Sequence, residues 1–176
     1  PTPGPIIGEL APAIDGDFDA TLLVCPDNCI NELVNVLDRA DEEILLSLQY
    51  LDMDWTYGWG ENPIFEALEN AAKRDVRLRL ILNGAYLDED IQNVADRFNE
   101  DWNFTQGYDA SAIVMSGDDH VLKLHNKGII VDGETVLVSS INWGGSALVR
   151  NREMGLLLTS EDVASVFEAS WYEDWK

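Results

Sequence analysis

The stretch His125-Asn126-Lys127-Gly128-Ile129-Ile130-Val131-Asp132, continued through Val138-Ser139-Ser140-Ile141-Asn142, reads as a strand, a tight turn and a returning strand. His125 and Lys127 are two positions apart, which on a strand puts them on one face. Asp132-Gly133 lies between two β-branched runs, a strong short-hairpin pattern. The returning strand, residues 135–138, delivers Ser140 and Asn142 at its far end, again in i, i+2 relation. One surface thus collects an imidazole, an ammonium, a hydroxyl and a carboxamide. That set suits a phosphate: a nucleophile or acid, a fixed cation and two neutral hydrogen-bond partners.

This stretch resembles the motif of the phospholipase D superfamily, His-x-Lys-x4-Asp-x6-Gly-Ser-x-Asn, met here by His125, Lys127, Asp132, Ser140 and Asn142. The one departure is Ser139, where the family usually has Gly. Asn142-Trp143 and Asn151-Arg152-Glu153 resemble the family's downstream elements, and the chain from Val24 to Trp175 is similar to one domain of it.

The resemblance implies a three-layer α/β/α sandwich with a mixed β-sheet. It also implies a phosphodiesterase or phosphatidyl-transfer reaction through a phosphohistidine on His125, with no cofactor or metal. Lys127, Ser140 and Asn142 would cradle the phosphate oxygens, and Glu153 would hydrogen-bond the imidazole and set its tautomer. Asp132, at the turn, is expected to be structural.

The reaction needs a second group to protonate the leaving oxygen. In the family this is the His of a second motif. The other His here is His120, which on a shared strand would point to the opposite face about 17 Å away. It reads as a turn residue. The chain is therefore expected to carry half a site, completed by an identical copy or by a motif elsewhere in a longer parent chain. The first residue, Pro rather than Met, suggests a piece excised from a longer chain, and Cys25-Pro26-Asp27-Asn28 with the run from Asn142-Trp143 to Glu153 resembles the second half of a two-motif protein.

Outside the motif, strand and helix patterns alternate, which argues an α/β layered sheet. Residues 1–19, with four of the six prolines, read as a linker or edge segment, and residues 20–176 as the catalytic domain. Strands are expected at residues 20–24, 43–50, 77–82, 112–115 and 151–158. A helix capped by Asp27 or Asn28 should bury Ile30, Leu33, Val34 and Leu37. Asn62-Pro63 opens a helix with Ile64, Phe65, Leu68, Ala71 and Ala72 inward. A polar helix follows at residues 88–98. Ser160 caps a last helix with Val163, Val166, Phe167 and Trp171 inward. The aromatic loop with Trp55, Tyr57 and Trp59 reads as packing beneath the loop, with a substrate mouth as the rival reading.

The net charge is −22, from 33 acidic and 11 basic residues, and the lysines are Lys73, Lys123, Lys127 and Lys176. Such a charge disfavours long nucleic acids and anionic membranes, since both are bound mainly through Lys and Arg. It fits adaptation to high salt, where the screening length falls to roughly 3 Å at 1 M. A phospholipid or other small diester is therefore the first substrate expectation. A nuclease is the runner-up, with Arg150 and Arg152 offering a short basic groove. A non-catalytic dimerisation or scaffold module is the reading from another class. Cys25 and Cys29 flank a turn and read as free thiols or a minor local bridge rather than as a functional pair. No apolar run approaches the roughly 20 residues needed to span a bilayer.

Overall fold

A computed structural model describes residues 13–16, 18–55, 62–85, 89–117 and 123–176. Most of the expected linker, Tyr57, Trp59 and His120 lie outside the described residues. Seven strands form one mixed sheet: β1 (Asp19–Val24), β2 (Glu43–Leu48), β3 (Arg77–Asn83), β4 (Ala110–Met115), β5 (Lys127–Val131), β6 (Thr135–Ser139) and β7 (Met154–Thr159). Their order is β1-β7-β6-β5-β2-β3-β4. β2, β3 and β4 run parallel, and every other pairing is antiparallel.

β2 lies in the middle of the sheet and is apolar on both faces, as a strand covered on both sides must be. Ile44, Leu46 and Leu48 face the larger core with Leu78, Leu80, Ile129 and Leu137. Helices α1 (Cys29–Asp38), α2 (Pro63–Lys73) and α3 (Glu89–Asp96) cover that face. Leu45 faces the opposite side with Ile81, Ile130 and Val136, under α5 (Glu161–Asp174). The arrangement is thus the expected three-layer α/β/α sandwich. A short helix α4 (Gly145–Val149), not expected from sequence, follows the motif.

The helix starts follow their capping residues. Asn62 Oδ1 accepts from Ile64 N at 3.0 Å, and Ser160 Oγ from Val163 N at 3.4 Å. Asn28 occupies the N-cap position of α1 but turns backward: its Oδ1 accepts from Val24 N at 2.7 Å and its Nδ2 donates to Leu22 O.

Three expectations need correction. The polar helix does not stop near Phe98. It continues as a π-helical stretch, Arg97–Thr105, because Phe98 and Trp102 are both fully buried and pack together at 4.6 Å. The intervening Asn99, Glu100 and Asp101 hide that continuation. Phe167 is 41% exposed rather than inward; Ala164 takes the buried position beside Val163. The last strand begins at Met154, not at Asn151.

Candidate active site

β2 and β6 end, and β5 and β7 begin, at one edge of the sheet, and the motif residues gather there. Lys127 opens β5 and is only 8% exposed. Its Nζ donates to Gln49 Oε1 at 2.9 Å and to His125 O at 2.8 Å, and lies 3.2 Å from His125 Nδ1. His125 sits just before the strand with its ring exposed. An ammonium only donates, so Nδ1 is the acceptor and the hydrogen of the neutral ring is on Nε2.

The Lys127 charge, with smaller contributions from desolvation and Lys123, holds the imidazole below its ordinary pKa. Burial lowers Lys127 itself, with Lys123 adding to the effect and Glu153 opposing it. The expected pairing of His125 with Lys127 is therefore made, by the strand's start rather than its interior.

Ser140 and Glu153 also meet. Ser140 Oγ donates to Glu153 Oε2, and Asn151 Nδ2 donates to Oε1 at 3.3 Å. Among the described residues Glu153 is thus held by Ser140 and Asn151. Glu153 precedes β7, whose register places Ser139 opposite Gly155, so its carboxylate reaches the adjacent Ser140 hydroxyl. Asn142 is half-buried, and its Oδ1 is buried without a partner among the described residues.

Sequence reasoning did not find Tyr50 and Asp52 beside Asn142. Burial raises the Tyr50 hydroxyl pKa, with Asp52 and Glu153 adding to it and the Asn142 hydrogen bond opposing. Burial likewise raises the Asp52 carboxyl, which accepts from Gly145 N at 3.1 Å. A Cβ on Gly144 would come within 2.7 Å of both Asp52 Oδ2 and Tyr50 Cε2, so the chain passes this cluster only as glycine.

Asp132 is remote from this edge. Its carboxylate accepts from the backbone N–H groups of Asp41, Glu42 and Glu43 at 2.9, 2.9 and 2.8 Å. It and Gly133 hold positive φ, 53° and 64°, at the turn. Ser139, the departure from the motif, is accommodated by its cross-strand partner. A Cβ on Gly155 would lie 2.8 Å from Ser139 Cβ, so the space is kept by glycine on β7 instead. Ser139 Oγ donates to Lys127 O at 2.6 Å, which ties β6 to the start of β5.

Cys25 and Cys29 form a disulfide, the local bridge of the two alternatives, and both are fully buried. Arg152, on the surface, pairs with the exposed Asp27 at 2.7 Å. Trp55 is buried, as packing beneath the loop requires. An open cavity of about 310 Å³ runs from His125 along β5 and β6 to Phe167 and Trp171 of α5. Among the described residues, no cluster of His, Cys, Asp or Glu is placed to hold a metal ion.

A family profile described as "Cardiolipin synthase, PLD-like domain" matches residues 33–175. The chain therefore belongs to the phospholipase D superfamily, a group of phosphodiesterase-type enzymes. Among its relatives is a phospholipase D of Rickettsia prowazekii, 28% identical over 154 residues that cover 87% of this chain and 65% of the relative. The chain thus spans about two thirds of that protein's length. In solved structures the fold is similar to that of Nuc, a phospholipase D family member from Salmonella typhimurium. The TM-score is 0.72 at 18% identity, covering 90% of this chain and 95% of the other. It is also similar to NucT from Helicobacter pylori, with a TM-score of 0.71 at 16% identity over 90% and 96% of the two chains.

Proposed function

We propose that this chain carries half of a phosphodiesterase or phosphatidyl-transfer site that works through a phosphohistidine on His125. The observation that carries this reading is the meeting of a buried ammonium and an exposed imidazole, 3.2 Å apart, at the end of the sheet where β6 runs out toward Ser140 and Asn142.

A bound diester would draw Lys127 Nζ from Nδ1 to a non-bridging oxygen, where the cation stabilises the five-coordinate transition state. Nδ1 then takes the ring hydrogen, and Nε2 attacks phosphorus with its lone pair. The P–O bond to the leaving alcohol breaks, and that oxygen takes a proton from a second acid. Water, or an alcohol in a transfer reaction, then gives its proton to the conjugate base of that acid and displaces His125 from phosphorus. Asn142 would donate to a second phosphate oxygen. Glu153 would act by orienting Ser140.

The second acid comes from a partner motif in this reading, because His125 is the one imidazole among the described residues. The sheet face on the α5 side offers a surface for that partner. Val138 of β6, Leu156 of β7 and Leu22 of β1 lie side by side in register, and Met154 extends the row. Leu22 and Met154 are each 57% exposed and Val138 is 45% exposed. An open apolar row beside an incomplete site fits a second copy of the motif-bearing fold. A small diester such as a phospholipid headgroup is favoured as substrate over long nucleic acid, because the net charge is −22.

The test is hydrolysis of an activated aryl phosphodiester in excess chelator, with trapping of phosphate on His125, beside His125→Ala. Turnover and trapped phosphate that both vanish in the variant support the reading. Turnover that survives in His125→Ala, or that is abolished by the chelator alone, sinks it.

A further inference from the structure

We infer that Gln49 is a positioning residue that holds the Lys127 ammonium in place without neutralising it. The inference rests on the reading of Lys127 as the phosphate-binding cation.

Gln49 follows β2, and its N–H donates to Asn126 O at 3.0 Å, which extends the β2–β5 ladder one step past the Leu48–Lys127 pair. That step fixes its backbone opposite the strand that carries the ammonium, and Oε1 reaches Nζ at 2.9 Å. Among the described residues every partner of Nζ is neutral: Gln49 Oε1, the His125 carbonyl and His125 Nδ1.

Arg74 likewise donates to carbonyls, those of Leu37 and Ala40 at 3.0 and 3.3 Å, but six other cations of the chain meet carboxylates. Lys73, Arg77, Arg79, Arg97, Arg152 and Lys176 each pair with a carboxylate, as 33 acidic residues against 11 basic ones would lead one to expect. Lys127, the most buried of the lysines, does not. Glu153, the carboxylate whose field it feels, is taken up by Ser140 and Asn151.

A carboxamide and a carboxylate of the same length differ here in one respect that matters. Both can accept from the ammonium and fix its direction. Only the carboxylate forms an ion pair that an incoming phosphate must break. In an acidic protein the anion-binding cation needs protection from its own carboxylates, and a glutamine supplies an acceptor while leaving the full positive charge for the ligand.

The experiment compares wild type, Gln49→Glu and Gln49→Ala in two measurements. One is hydrolysis of an activated aryl phosphodiester across pH. The other is the concentration of inorganic phosphate that shifts the His125 imidazole resonances. Thermal unfolding of each variant checks that it folds. Gln49→Glu, the closest in shape, is expected to be the most damaging. It should lose about tenfold or more in kcat/KM and in phosphate affinity at neutral pH, and its deficit relative to wild type at the same pH should narrow as the pH falls and the new carboxylate is protonated. Gln49→Ala should lose less, because the cation is loosened but not neutralised.

A purely structural glutamine gives the opposite order, since Glu keeps the acceptor that Ala removes. A Gln49→Glu variant as active as Gln49→Ala, or more so, therefore overturns the inference while leaving the role of Lys127 intact. A wild-type protein with neither hydrolysis nor a phosphate-dependent shift at His125 overturns both.

Discussion

The motif aspartate separates stability from chemistry, and its replacement has an effect that can be worked out from the structure. Asp132 Oδ1 accepts from Glu42 N and Glu43 N, and Oδ2 from Asp41 N. Hydrogen bonds to an ionised acceptor contribute about 1.5–3 kcal/mol each where water cannot replace them. Asp41 and Glu42 are exposed, so water substitutes for much of their share, while Glu43 is half-buried at the start of the central strand. The carboxylate is therefore expected to contribute about 2–4 kcal/mol in total. Asp132→Ala adds about 1 kcal/mol more, because an alanine is held at φ 53°.

Asp132→Gly removes the carboxylate without that backbone strain and should be the milder of the two. Asp132→Asn with its carbonyl oxygen in place of Oδ1 keeps two of the three bonds and should cost only about 1–2 kcal/mol. Denaturant unfolding of the three variants gives these values. The site should be spared, since Lys127 is five residues away along β5, about 16 Å. At a temperature where each variant is folded, kcat/KM should stay within about threefold of wild type. An Asp132→Ala variant within 1 kcal/mol of wild type, or one that is fully folded yet inactive, refutes the reasoning.

Other consequences can be measured independently. The His125 imidazole should titrate below its ordinary value of about 6.5, and Lys127→Met should move the midpoint up toward it. Neutral imidazole, the form able to attack, should thus persist to lower pH than in a free histidine; NMR titration of the ring checks the sign. Replacing the disulfide by Cys25→Ala/Cys29→Ala should cost about 2 kcal/mol from loop-closure entropy, read from denaturant midpoints in the two proteins. On the proposed pairing of two copies through this row, Leu22→Lys with Val138→Lys should leave the fold intact and abolish dimers in light scattering; a wild-type chain that stays monomeric, or dimers unchanged in the variant, refutes the pairing. Unfolding free energy should rise with salt, because the self-repulsion of a −22 chain is progressively screened.

What could be read from sequence divides along physical lines. The β5–β6 hairpin was legible because its turn, its alternation and its polar ends all lie within one short stretch. α2 was legible because Asn62-Pro63 marks its start and its apolar stripe repeats at helical spacing. The π-helical stretch was not, because polar Asn99, Glu100 and Asp101 separate Phe98 from Trp102 and mask a single buried face. Phe167 was misplaced because helical periodicity gives the direction of a side chain but not how much of a sheet the helix covers.

The site divides in the same way. His125, Lys127, Ser140 and Asn142 are close in sequence and their spacing alone brings them to one edge. The partners of those residues are not close. Gln49 reaches Lys127 across a strand pairing 78 residues away, and Tyr50 and Asp52 approach Asn142 through a separate parallel bridge between Leu51 and Trp143. Glu153 was found by its resemblance to the family, yet its hydrogen bonds depend on the register of β7 against β6, which nothing local determines. A motif thus names the groups that would touch a phosphate, while the sheet register decides which neutral or charged neighbours tune them. In so acidic a chain that second choice decides whether Lys127 remains free to bind an anion.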